Sequence, residues 1–137
     1  MDRKIVLLID DSPRDRDLYG SVLWYNGFDV LVAEDAREGM RLATERNPDL
    51  ILLDLVLPDE SGLELCERLK ADSRSSGIPV IAVSGHAAGD YKRPAERAGC
   101  CDYVEKPTSP LQLLRIVETW IGRARREARP IQAINAA

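Results

Sequence analysis

Lys4-Ile5-Val6-Leu7-Leu8-Ile9-Asp10-Asp11 is an apolar run that ends abruptly in two carboxylates. Its apolar core does not alternate, as a strand with one wet face would. A short continuous Val/Ile/Leu run is the pattern of a strand covered on both faces, as in parallel sheets. Three other runs end in the same manner. Leu50-Ile51-Leu52-Leu53 stops at Asp54, Ile78-Pro79-Val80-Ile81-Ala82-Val83 stops at Ser84, and Cys101-Asp102-Tyr103-Val104-Glu105 stops at Lys106-Pro107. In an open parallel sheet the carboxyl ends of the strands share one edge, where ligands bind. Three carboxylates, a hydroxyl and an ammonium are therefore expected along that edge.

Outward from these runs, strand and helix patterns alternate. Strands are expected at Lys4–Ile9, Asp29–Ala33, Leu50–Asp54, Pro79–Val83 and Cys101–Glu105. Pro13 opens a first helix with Leu18, Val22 and Leu23 at apolar spacing, and Gly27 ends it. Asp35 to Glu38 opens a second, with Met40, Leu42 and Ala43 inward and Asn47-Pro48 as the stop. Ser61-Gly62 begins a third, with Leu63, Cys66 and Leu69 on one face. Ser109-Pro110 starts the last, with Leu113, Leu114, Val117, Trp120 and Ile121 as its apolar stripe. The fourth helix is irregular. Pro94 in a helix interior costs about 3 kcal/mol, so the sequence predicts a short helix over Arg93–Ala98 behind a loose loop. Five βα units predict an α/β fold, a flavodoxin-like doubly wound five-stranded parallel sheet in the order 2-1-3-4-5 with helices on both faces.

The size of the chain, 137 residues with 45% hydrophobic, fits one domain with a core of its own. Residues 1–125 are expected to form it, and 126–137 a frayed or disordered tail. A net charge of −4 gives no basic footprint for nucleic acid. The arginines from Arg123 onward are offset by Glu118 and Glu127 and suit a helix C-terminus. No apolar run reaches the ~20 residues of a membrane span, and the charged opening Met1-Asp2-Arg3-Lys4 leads into too short an apolar stretch for a signal peptide. A cytoplasmic location is expected. Cys66, Cys100 and Cys101 show no metal-ligand spacing and read as small apolar fillers or half-exposed thiols.

Asp10, Asp11 and Asp54 would repel one another unless a cation is present. Mg²⁺ suits such a set, because it takes one or two carboxylates and keeps positions open for water and phosphate oxygens. Asp54 is the nucleophile candidate: a carboxylate can attack a phosphoryl group to give an acyl phosphate, with Lys106 and the Ser84 hydroxyl neutralising charge. Gly85 leaves the approach open, and a cis bond is feasible at Lys106-Pro107. Each feature alone also suits a helix cap or a turn. Their placement at consecutive strand ends is what points to one site.

Asp10-Asp11, the stretch Asp54-Leu55-Val56-Leu57-Pro58-Asp59-Glu60-Ser61-Gly62, Val83-Ser84-Gly85 and the stretch from Ala98 to Pro107 closely resemble the receiver domain of two-component response regulators, over about residues 3–124. The spacing agrees, 30 residues from 54 to 84 and 22 from 84 to 106. The resemblance implies that Asp54 accepts phosphate from a histidine of a sensor histidine kinase or histidine phosphotransfer protein. It implies Mg²⁺ on Asp10, Asp11, Asp54 and the Val56 carbonyl, and phosphoryl binding by Ser84 and Lys106. Ser84 would start a conformational switch that the Tyr103 rotamer reports. Val56 and His86 stand where the family tunes phosphate lifetime, and Val56 is expected to slow hydrolysis. The irregular fourth helix puts the family's usual output surface in doubt.

No output domain follows, so the resemblance suggests a stand-alone receiver. It would act on an unknown protein target, as a monomer or a phosphorylation-dependent dimer, without nucleic acid or membrane. Such a chain is a phosphoacceptor signalling protein and not an enzyme in its own right. The alternative is a pseudo-receiver that binds proteins independently of phosphorylation, although the residues whose loss would favour it are all present. An aspartate-nucleophile phosphatase would want a second Asp at position 56. A flavin domain would want a phosphate-cradling loop after the first strand.

Overall fold

Alternate residues of the central strands point to opposite sides of the sheet, and both sides are covered. The computed structural model describes residues 3–85 and 88–128. Its elements are β1 (Ile5–Ile9), α1 (Pro13–Tyr25), β2 (Asp29–Ala33), α2 (Ala36–Glu45), β3 (Leu50–Leu53), α3 (Gly62–Ala71), β4 (Val80–Ser84), α4 (Ala88–Ala98), β5 (Asp102–Glu105) and α5 (Pro110–Ala128). The strands pair in parallel in the order β2-β1-β3-β4-β5. Fold class and strand order are those the apolar runs predict.

Leu7, Ile9, Ile51, Leu53, Val80 and Ala82 form one layer of the core with α2, α3 and α4, which contribute Leu42, Leu65, Leu69 and Ala95. Val6, Leu8, Leu50, Leu52, Ile81 and Val83 form the other with Tyr19, Leu23, Leu113, Val117 and Ile121 of α1 and α5. The continuous apolar runs exist because each central strand must supply both layers.

Local chemistry sets the helix ends. Ser12 caps α1, its side chain accepting from the Asp15 amide, with Pro13 at the first position. Beyond the Asn26 cap, Gly27 has φ +98, Gly27 N–H donates to Trp24 O, and Phe28 N–H donates to Leu23 O. That pattern is a Schellman closure, and Phe28 and Leu23 lie in the same apolar cluster.

Among the helices, the structure corrects the sequence reading in three places. Leu18 is 42% exposed, and Tyr19 takes the inward position in phase with Leu23. The Ser12 cap fixes that phase, and apolar spacing alone did not reveal it. α4 runs the full length Ala88–Ala98 with Pro94 inside it, in place of a short helix over Arg93–Ala98. The proline forfeits one hydrogen bond to the Asp90 carbonyl. Tyr91, Ala95 and Ala98 pack against the sheet, and that burial holds the helix together through the defect. Finally, α5 passes the expected boundary at 125 and continues to Ala128, through residues that are mostly good helix formers. The rest of the expected tail, 129–137, lies outside the described residues.

Pro94→Ala is expected to stabilise the protein by about 1–3 kcal/mol, since it restores a helix donor at the cost of some unfolded-state rigidity. The check is the urea midpoint at unchanged slope. An unshifted midpoint would mean that the helix does not feel the proline.

Candidate functional site

The backbone ladder continues past the strand ends and sets each functional residue. Asp10 N–H donates to Ala33 O at 3.0 Å, Asp54 N–H to Ile9 O at 2.9 Å, and Lys106 N–H to Ser84 O at 2.7 Å. Ile9 and Leu53 are direct partners in the sheet register, so Asp10 and Asp54 leave adjacent strands side by side. Ser84 is the last residue of β4, not the first beyond it, and it is fully buried. Asp10 and Asp54 are also buried, while Asp11 is exposed at the mouth.

The expected convergence is present. Carboxylate oxygens of Asp10, Asp11 and Asp54 lie within 4.8 Å of one another. Lys106 Nζ donates to Asp10 Oδ2 at 2.7 Å and to Asp54 Oδ2 at 3.3 Å. The Lys106–Pro107 peptide is cis. The remaining Asp10 oxygen, Oδ1, accepts from Ser12 N–H at 2.9 Å, and the Asp10 carbonyl accepts from the Arg16 guanidinium at 2.8 Å. Asp54 Oδ1 accepts from Val56 N–H at 3.0 Å. The Val56 side chain is 55% exposed. Tyr103 is half-buried, and Ser84 hydrogen-bonds its phenol. His86 lies outside the described residues.

Sequence reasoning missed three participants. Asp15, on the first turn of α1, takes a third bond from Lys106 Nζ, at 2.8 Å. The signal was available as Ser12-x-x-Asp15, a capping-box spacing. Gly62 packs so close to the loop after β3 that a Cβ there would lie 2.5 Å from the Asp54 carbonyl oxygen and 2.6 Å from Leu55 Cα. Asp59, in the same loop, accepts from the Ala36 and Arg37 amides at 2.9 and 3.0 Å and so caps α2. Nothing in local spacing announces the last two contacts, which depend on the tertiary path of the loop.

Burial pushes the Asp54 carboxyl above its ordinary range, and the Asp10 charge adds to this against the Val56 amide and Lys106. Burial alone would lower the Lys106 ammonium, but bonds to Asp10 and Asp15 and the Asp54 charge outweigh it, so the net shift is upward. The three-carboxylate set thus suits a hard divalent ion: oxygen donors only, one exposed, and more negative charge than one ammonium offsets.

A raised Asp54 means that the native state holds this proton more tightly than the unfolded chain. Its contribution to stability is therefore greatest below the unfolded carboxyl range and is lost as pH rises through the folded value. In metal-free buffer at pH 7, Asp54→Asn is expected to stabilise the fold by about 1 kcal/mol, the scale of one poorly compensated buried charge. That gap should close as pH falls towards 4. A variant less stable than wild type at pH 7 in EDTA would contradict it.

Comparison with known proteins agrees with this geometry. Residues 6–118 match the model of the response regulator receiver domain. The phosphate regulon transcriptional regulatory protein PhoB of Pseudomonas aeruginosa is 37% identical over 120 residues, 88% of this chain and 52% of PhoB. This chain therefore spans about half the length of that relative. The polar-differentiation response regulator DivK of Brucella ovis is 32% identical over 121 residues, 88% of this chain and 98% of DivK. Among solved structures, the receiver domain of sensor histidine kinase PA1611 from P. aeruginosa superposes with a TM-score of 0.81 at 28% identity, covering 88% of this chain and 99% of that one. That structure has a magnesium ion coordinated in its active site cleft. With family motifs, strand order and full-length relatives in agreement, the chain belongs to the response regulator receiver domains of two-component signalling.

Proposed function

We propose that Asp54 accepts a phosphoryl group from the phosphohistidine of a sensor histidine kinase or a histidine phosphotransfer protein, and that the product switches a protein-binding surface. The carrying observation is the Asp10–Asp11–Asp54 cluster with the Lys106 ammonium on two of its members. An Asp54 oxygen forms the new O–P bond as the N–P bond of the donor breaks. The imidazole nitrogen keeps the electron pair and takes up a proton. Such transfers depend mainly on positioning and charge neutralisation. Asp10, Asp11, Asp54 and the Val56 carbonyl would hold Mg²⁺, which when bound supplies part of that neutralisation. The magnesium in the cleft of the PA1611 receiver supports this assignment.

Lys106 and Ser84 would bind phosphoryl oxygens. Ser84 is the natural starting point of a switch, because its hydroxyl is buried and engaged with Tyr103. Turning to a phosphoryl oxygen would release that phenol and unsettle its half-buried ring. Val56 presents an exposed isopropyl group two residues beyond the acceptor, which gives an attacking water no polar partner. Partners would be proteins met in the cytoplasm, and no described helix is long and apolar enough to cross a membrane.

Incubation with phosphoramidate and Mg²⁺ should add one phosphoryl group by intact mass to wild type and none to Asp54→Ala. No adduct on wild type would favour a phosphorylation-independent binding module. Val56→Asn is expected to shorten the adduct's lifetime by about threefold or more, because one hydrogen bond to the attacking water is worth about 1 kcal/mol. An equal or longer lifetime would sink the role of Val56.

A further inference from the structure

An ammonium has three N–H donors and no acceptor, and in this site three carboxylates take them all. Asp10, Asp15 and Asp54 lie 2.7, 2.8 and 3.3 Å from Lys106 Nζ. Two of them belong to the cation cluster, so a bound metal would compete with Lys106 for their charge. Asp15 does not belong to it. It sits at the third position of α1, where an acidic side chain usually turns back to the cap residue's own N–H. Here Ser12 N–H donates to Asp10 Oδ1 instead, which leaves the Asp15 carboxylate to reach across to Lys106. The Asp15 and Lys106 side chains are only 23% and 15% exposed, so solvent screens the pair incompletely.

We propose that Asp15 is a positioning residue that restrains Lys106. It keeps the ammonium partly neutralised and drawn towards α1, and so weakens the hold on an arriving phosphoryl oxygen while strengthening the cluster's hold on a divalent cation. This inference rests on the phosphoryl reading of the same site. The chemistry is a competition: an incoming phosphoryl oxygen must take over one donor, and Asp54, at 3.3 Å, holds the longest of the three. Asp15 keeps its own donor and adds a negative charge beside the newcomer. The same negative charge favours a metal ion.

The test uses beryllofluoride, a non-covalent phosphoryl mimic, titrated at saturating Mg²⁺ and followed by fluorine NMR, with Mg²⁺ titrated separately. Asp15→Asn is expected to tighten beryllofluoride by about fivefold and to weaken Mg²⁺ by about threefold, the scale of one partly exposed charge-assisted contact. A merely damaged site would weaken both, so the opposite signs are diagnostic. Asp17→Asn, on the exposed face of the same helix, should move each by less than about twofold if bulk charge is not the cause. In a Lys106→Gln background the gain from Asp15→Asn should likewise fall below about twofold. If wild type binds beryllofluoride and Asp15→Asn leaves that affinity unchanged or lowers it, the restraint is overturned. If neither protein binds beryllofluoride, the phosphoryl reading falls, and an unaltered Mg²⁺ affinity in Asp15→Asn would then overturn the restraint too.

Discussion

Placing Asp10 and Asp54 at the ends of adjacent strands is tolerable because one ammonium, that of Lys106, lies between them. The sheet register leaves those carboxylates little choice of position, since Ile9 and Leu53 are paired and both side chains are buried. Two like charges so close in a poorly solvated place oppose folding. Lys106 offsets them from the far side of β4, and it is held there by its own backbone bond to Ser84. The offset is incomplete: burial above all, with the Asp10 charge adding to it, still raises the Asp54 carboxyl. The residual negative charge that opposes folding here is the same charge that would attract a divalent ion.

The body of the protein supplies the stability that this edge gives up. Both faces of the central strands are buried in apolar layers, and many of their side chains are fully removed from water. At roughly 1.5–3 kcal/mol for each large apolar side chain buried, a few of these exceed any plausible cost of one uncompensated carboxylate. Buried strands set the candidate residues at or just past their ends, and the loops that follow complete the site. This explains how a charged, partly frustrated site can be positioned to within hydrogen-bond distances.

Much of this was legible in the amino-acid sequence because period and burial are coupled. Leu50-Ile51-Leu52-Leu53 reads as a strand covered on both faces, which puts the residue following it on the ligand edge. Asp10, Asp11, Asp54, Ser84 and Lys106 stand out in this way, and the structure brings the three carboxylates and the Lys106 ammonium together. The failures have separate physical causes. Pro94 was weighed by its local cost, whereas the packing of Tyr91, Ala95 and Ala98 decides the helix. Apolar spacing points to Leu18 and not to Tyr19, because it does not reveal where a cap sets the phase. Asp15 carries only a capping-box spacing in the sequence, and the bond of Ser12 N–H to Asp10 leaves its carboxylate for Lys106. Gly62 and Asp59 act through contacts between segments distant along the path of the chain, which no local pattern encodes.

The loop after Asp54 is fastened at two places, by Gly62 against its first residues and by Asp59 on the amides that open α2. A tethered loop has less conformational freedom to lose when a ligand arrives, so less of that entropy is charged to binding. The Asp54 side chain, itself tied to the Val56 amide, is therefore presented with less of a preceding search among loop conformers. Encounter with a small ion should then be governed by diffusion and by shedding of the ion's own water, and its rate should be insensitive to solvent viscosity beyond the diffusive part. The slow coordinate would then belong to the ligand, not to assembly of the site.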